Sequence, residues 1–184
     1  MSRKYKFHNP EGAYFITFSV VGWIDLFTRM VYADLIIGSL DYCRKNKGMS
    51  IFGYCIMPSH IHLIFRAEEG NPSDLIRDFK GFTSRKLLRE IKENSQESRD
   101  WLLKMFETSK TSISGANKNQ LWQHHNNPLE IWSLSVFKQK LDYIHDNPIK
   151  AGFVDNSWDW RYSSAKNYAD DFHGILEIDV NYWL

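Results

Sequence analysis

Ser50-Ile51-Phe52-Gly53-Tyr54-Cys55-Ile56-Met57-Pro58-Ser59-His60-Ile61-His62-Leu63-Ile64-Phe65-Arg66 reads as two strands joined by a tight turn. Ser50 to Met57 and His60 to Arg66 are rich in β-branched and aromatic residues, and Pro58-Ser59 separates them. A connection this short demands an antiparallel hairpin. Strand residues alternate between faces, so His60 and His62 share one side while Ile61 and Leu63 point into the core. Two imidazoles on one face of a rigid strand make half of a metal site, or a pair poised around a phosphate.

Outward from the hairpin, Ala13 to Val21 reads as a first strand, with the polar residues Thr17 and Ser19 at alternate positions late in the run. Arg29 to Lys47 carries Val31, Leu35, Ile36, Leu40 and Cys43 at helical spacing, with Gly48 as its stop. Pro72-Ser73-Asp74 opens a long helix with Ser73 as N-cap and Leu75, Ile76, Phe79, Phe82, Leu87, Leu88 and Ile91 on its apolar side. A helical stretch from Ser98 to Glu107 runs into a polar, Gly/Ser-rich segment at about 108–119, read as a flexible loop. Gln120-Leu121-Trp122-Gln123 reads as a short fourth strand, and Leu134 to Asn147 as a helix stopped by Pro148. The order β-α-β-β-α-β, followed by one more helix, is that of an α+β, ferredoxin-like split βαβ antiparallel sheet. That last helix must cross the sheet to reach the histidines.

The 184 residues suit a single domain spanning 1–184, and 43% hydrophobic with 15% aromatic content argues for a folded globule. The formal net charge of +1 does not announce a nucleic-acid binder, so any such surface must be local. Cys43 and Cys55 are too few for a disulfide framework or a cysteine-based zinc site, and read as reduced thiols in a cytosolic protein. No window approaches the roughly 20 apolar residues of a membrane span.

Tyr143 and Asn147 lie four residues apart at the end of the last predicted helix, on one face. Opposite two histidines they suggest phosphodiester chemistry with tyrosine as nucleophile. A phenol attacks poorly at neutral pH, and a divalent ion on the phosphate would improve the electrophile. Two histidine nitrogens and the Asn147 oxygen suit Mg²⁺ or Mn²⁺ with positions left open for phosphate oxygens. His145 points to another helix face and reads as structural; of His124 and His125, at most one could join a site. The long helix carries Lys80, Arg85, Lys86 and Arg89, which read either as a solvated face or as a grip on a nucleic-acid backbone.

Taken in order, Tyr14-Phe15-Ile16-Thr17-Phe18, Tyr54 to Ile64, Leu121-Trp122-Gln123, Tyr143 to Val154 and Trp160 to Ala165 resemble the REP-associated tyrosine transposases. These are single-tyrosine members of the HUH endonuclease superfamily, related to the smallest insertion-sequence transposases, and the resemblance covers nearly the whole chain. It implies a ferredoxin-like fold and a metal-dependent nickase that rejoins single-stranded DNA, often folded as a hairpin, in the bacterial cytoplasm at the nucleoid. By the family pattern His60 and His62 are metal ligands, Asn147 the third, and Tyr143 becomes linked to the 5′-phosphate. Small insertion-sequence relatives dimerise, whereas the REP-associated class implies a monomer with its site in cis. The segment Val154 to Leu184, with Trp158, Trp160, Tyr162, Tyr168, Tyr182 and Trp183, could cap a sheet face or form a dimer contact. Two other classes compete. A histidine-triad hydrolase would want a third alternating histidine where Ile64 stands. A non-catalytic nucleic-acid-binding module would need neither Tyr143 nor metal.

Overall fold

In the computed structural model, which describes residues 6–108, 120–169 and 173–180, the hairpin forms as read. Strand β2 (Met49–Ile56) pairs antiparallel with β3 (His60–Ala67), and Met57 N–H donates to the His60 carbonyl across the turn. Strand β1 (Ala13–Ser19) lies antiparallel on the other side of β3, and β4 (Leu129–Ile131) on the far edge of β1. The sheet order β2-β3-β1-β4 puts β3 between the two strands of the first crossover, as a split βαβ requires.

Helices α1 (Met30–Asn46) and α2 (Pro72–Glu93) cover one face. There Ile16, Phe18, Ile61, Leu63 and Phe65 join Ile36, Leu40, Phe79 and Leu87 in the main core. Short α3 (Trp101–Thr108) extends this layer through Leu102 and Phe106. Helix α4 (Leu134–Lys150) packs on the opposite face, its Phe137, Leu141 and Ile144 against Phe52, Cys55, Ile64 and Ile131. No helix among the described residues is long and apolar enough to cross a membrane.

Two features of β2 set the seat of α4. The pairing slips between Ile51 and Gly53, a β-bulge that turns both Phe52 and Gly53 toward α4. A Cβ on Gly53 would stand 2.8 Å from Leu141 Cδ1 and 3.1 Å from Ile144 Cδ1, so the helix approaches as closely as a glycine allows. Beside the bulge, Ser164 Oγ accepts from Tyr54 N–H at 2.9 Å and contacts the Tyr54 carbonyl at 3.1 Å and His145 Nε2 at 2.8 Å. His145 is buried there, held down to about 4 by the loss of solvent, and is the structural residue expected.

The structure corrects several expectations. The regular fourth strand is Leu129–Ile131, not Gln120–Gln123. Trp122 makes an isolated bridge to Val20 on the same edge of β1, and its buried indole N–H donates to Thr83 on α2. Irregular backbone between them, with Asn127 at φ +43°, breaks the ladder. Helix α4 continues through Pro148 to Lys150 instead of stopping at Asn147. Beyond the proline, Ala151 N–H donates to Asn147 O and Phe153 N–H to Pro148 O, while Asn147 Nδ2 supplies a side-chain donor to the Tyr143 carbonyl. The N-cap of α2 is Asn71, whose Oδ1 accepts from Asp74 N–H, with Pro72 in the first turn; Ser73 is already helical. Among the described C-terminal aromatics, Tyr162 is buried in the main core and Trp160 and Tyr168 pack against both cores. Their segment runs along the outer edge of β2, where Ile56 N–H donates to Tyr162 O, Trp160 Nε1 to Ile56 O and Tyr168 Oη to Phe52 O. Tyr182, Trp183 and the Gly/Ser-rich segment at 109–119 lie outside the described residues.

Candidate active site

The β1–β3 register sets Thr17 opposite His62 and Ser19 opposite His60. Thr17 Oγ1 lies 2.9 Å from His62 Nδ1, and Ser59 Oγ lies 3.2 Å from His60 Nδ1. Each ring is thereby held through its Nδ1. His62 is 3% exposed, and its buried Nε2 has no hydrogen-bond partner. Burial, with lesser help from the neighbouring His60 and Lys140, pushes His62 down to about 3, and burial lowers His60 too. Both imidazoles are therefore neutral at physiological pH, the form that ligates metals.

The two rings stand 4.8 Å apart between centroids. Phe15 stacks on His62 at 5.7 Å, and the Tyr143 ring meets His62 at 5.3 Å, nearly perpendicular. Tyr143 is 43% exposed, so its hydroxyl-bearing ring stands at the surface of a cleft and not in the core. The last helix thus crosses the sheet and delivers Tyr143 to the histidines within one chain. Lys140, one turn earlier on α4, sets its Nζ 5.2 Å from the Phe15 centroid and 5.7 Å from that of Tyr143. On the other side of the pair, Trp23 approaches His60 edge-on at 5.5 Å.

Whether a divalent ion suits these residues turns on the unpartnered Nε2 of His62. A neutral imidazole anchored at Nδ1 by a hydroxyl, with its other nitrogen left without a hydrogen-bond partner, has the arrangement of a metal-ligating histidine. Among the described residues no group of three or more His, Cys, Asp or Glu could hold a metal, so any third donor supplied by them would be an amide or hydroxyl oxygen. Asn147 fits that role chemically. It lies one turn beyond Tyr143, and its Nδ2 donates to the Tyr143 carbonyl at 2.7 Å, which leaves Oδ1 as the donor atom.

The cations of α2 are not part of this cluster. Lys80 is turned inward, its Nζ bonded to Gln123 O at 2.8 Å and Asn126 Oδ1 at 2.6 Å, and burial pulls it down to about 8. Arg85, Lys86 and Arg89 are exposed, but on the helix layer behind the sheet. His124 and His125 are exposed on the irregular segment that flanks β1. Sequence reading overlooked Phe15, Thr17, Trp23 and Lys140 as site residues. Two of them carried a signal: Thr17 is a polar residue at an alternate strand position, and Lys140 lies three residues before Tyr143.

Comparison with known proteins follows the same lines. The profile of the IS200-like transposases matches residues 25–121, just over half of the chain. A candidate REP-associated tyrosine transposase of Haemophilus influenzae is 30% identical over 137 residues, covering 68% of each chain. A REP-associated tyrosine transposase of Escherichia coli is 26% identical over 136 residues, covering 74% of this chain and 65% of the relative. A solved REP-associated tyrosine transposase bound to a REP hairpin superposes with a TM-score of 0.67 at 18% identity, covering 98% of this chain and 93% of the other, and so shares the fold. The chain belongs to the IS200-like transposase family, among its REP-associated tyrosine members.

Proposed function

We propose that this chain nicks and rejoins single-stranded DNA beside a hairpin, with Tyr143 as nucleophile. The observation that carries the reading is the meeting of an exposed tyrosine ring with two neutral, oriented histidines across one sheet face. The Tyr143 oxygen attacks the scissile phosphorus and the P–O3′ bond breaks. The phenol's proton goes, overall, to the departing 3′-oxygen, which leaves a free 3′-OH and a 5′-phosphotyrosine. Attack by a 3′-OH on that ester reverses the step and needs no ATP, because the ester retains the phosphodiester's energy.

The Nε2 atoms of His60 and His62, with Oδ1 of Asn147, would hold Mg²⁺ or Mn²⁺, and the ion would supply charge that polarises the phosphate. The remaining work falls to the protein's own groups. Thr17 fixes which nitrogen of His62 is left to bind the ion. Lys140 places a cation beside the Tyr143 ring, where phosphate charge arrives. Phe15 walls the site and limits water. All these groups come from one chain, which supports a site in cis and a monomer sufficient for cleavage.

The hairpin as substrate rests on the relative solved with a REP hairpin. Work on such DNA would place the protein at the bacterial nucleoid. For the α2 cations the expectation of phosphate contact becomes a proposal with its own test. Replacing Arg85, Lys86 and Arg89 together by Ala flattens the log–log salt dependence of stem binding by roughly one unit per contact. An unchanged slope assigns them to a solvated face; Lys80 is left out of the set because its Nζ is bonded internally.

The central test is an SDS-stable adduct formed between the protein and a labelled hairpin oligonucleotide with single-stranded flanks, in Mg²⁺ or Mn²⁺. Wild-type protein should form it. Tyr143→Phe should not, while binding the same DNA with nearly unchanged affinity. Cleavage without any covalent species would overturn the reading.

A further inference from the structure

Where β1 ends, the chain is pinned on both sides and then bent sharply. Val20 N–H donates to Ser59 O at 2.9 Å, Val21 N–H to Leu121 O at 2.9 Å, and Trp23 N–H back to Val20 O at 3.1 Å. Gly22 takes φ +69° within this bend, as glycine can, but the next residue, Trp23, is also left-handed at φ +54°. A bulky side chain is disfavoured there, and Gly or Asn would relieve the cost. Packing does not account for the choice, because the Trp23 side chain remains 58% exposed. A strained backbone that holds a large ring out of the core belongs to the kind of position where strain serves a ligand.

The ring's location says which ligand. Trp23 stands edge-on to His60 at 5.5 Å, His60 lies 4.8 Å from His62, and His62 lies 5.3 Å from Tyr143, so the four rings follow one another from one end of the site to the other. Displacement at phosphorus is in line, which puts the departing 3′-oxygen opposite the attacking phenol. Trp23 lies beyond the histidines from Tyr143, and therefore on the side of the departing oxygen.

We propose that Trp23 stacks on the nucleobase immediately 5′ to the cut, and so retains the strand that ends in the new 3′-OH until it is rejoined. This rests on the tyrosine-nuclease reading above and adds a positioning residue to it. The 5′-phosphate side is kept by a covalent bond, while the 3′-OH side has only contacts of this sort to keep it. Base-on-aromatic stacking tolerates any base, so Trp23 would retain the strand without selecting its sequence.

The test uses the full chain and the hairpin oligonucleotide of the adduct assay, with 2-aminopurine placed either directly 5′ or directly 3′ of the mapped cut. With wild-type protein the 5′ probe should be quenched on binding and the 3′ probe much less. Trp23→Ala should abolish the 5′ quench, release the 3′-OH fragment on the order of tenfold faster, and shift the product from rejoined DNA toward adduct. Trp23→Phe should restore retention in large part. Trp23→Gly should match Trp23→Ala in the DNA assays without lowering the melting temperature, because glycine accepts the positive φ. A wild-type protein that forms adduct, with quench and fragment release unchanged in Trp23→Ala and Trp23→Gly, would overturn the stacking role and leave the nuclease reading intact. A wild-type protein that forms no adduct overturns both.

Discussion

The hydroxyl of Thr17 engages one nitrogen of His62 and leaves the other without a partner, although the two residues are 45 positions apart in sequence. An imidazole with both nitrogens free could present either one; hydrogen-bonded at Nδ1 it presents Nε2, which here has no other partner. Thr17→Val keeps the shape and removes that bond. It should lower the rate of adduct formation by about 10- to 100-fold with little loss of fold stability. Thr17→Ser should retain most of the activity. The comparison needs only single-turnover cleavage rates and a thermal melt, and equal rates for Thr17→Val and wild type would show that the hydroxyl does not orient His62.

At the scale of elements, the seat of α4 on the β2 bulge governs where Tyr143 sits. Gly53→Val would drive a branched side chain into Leu141 and Ile144. Overpacking of this kind costs about 1–3 kcal/mol, and the helix can relieve it only by lifting from the sheet that carries the histidines. Adduct formation should fall further than stability alone explains, as paired denaturation and cleavage measurements would show. A second junction lies on the opposite layer. Glu97 pairs with Arg99 and Arg29, and hydrogen bonds from Arg99 foremost and then Tyr32 Oη lower its carboxyl to about 2. The folded value lies below that of the unfolded chain, so the stabilisation is complete above about pH 4.5 and is lost as pH falls toward 2. Urea titrations should show Glu97→Gln less stable by about 2 kcal/mol at pH 7, with the gap closing near pH 2. The hairpin, α1, α2 and the crossover order were legible because hydrophobic period and turn residues are local signals. So was the pairing of the histidines with Tyr143, through spacing and the family resemblance. What escaped depends mainly on distant contacts: β4 is defined by β1's edge and not by its own three residues, and the C-terminal path by β2's open edge. Trp23 carried no sequence signal, since its meaning lies in a backbone angle.

For the molecule as a whole, the sheet divides labour between its faces. One face is sealed by α1 and α2 over the main core; the other is only partly covered by α4, and the site opens where that cover ends. Because both halves of the site come from one chain, mixing Tyr143→Phe protein with a His60→Ala, His62→Ala variant should not restore cleavage, and the wild type should sediment as a monomer. Restored activity would mean a site shared between copies. On the proposed mechanism, a DNA strand joined to Tyr143 would also make α4 a mechanical part. Tension in that strand would pull on the helix, which is fastened to the sheet by its apolar contacts at Gly53 and by the Ser164 bridge between His145 and Tyr54. His145 lies about half a turn from Tyr143, so the pull would be taken up close to where it enters. The C-terminal segment that supplies Ser164 would thereby double as a brace, passing the load of a tugged strand from α4 directly into β2.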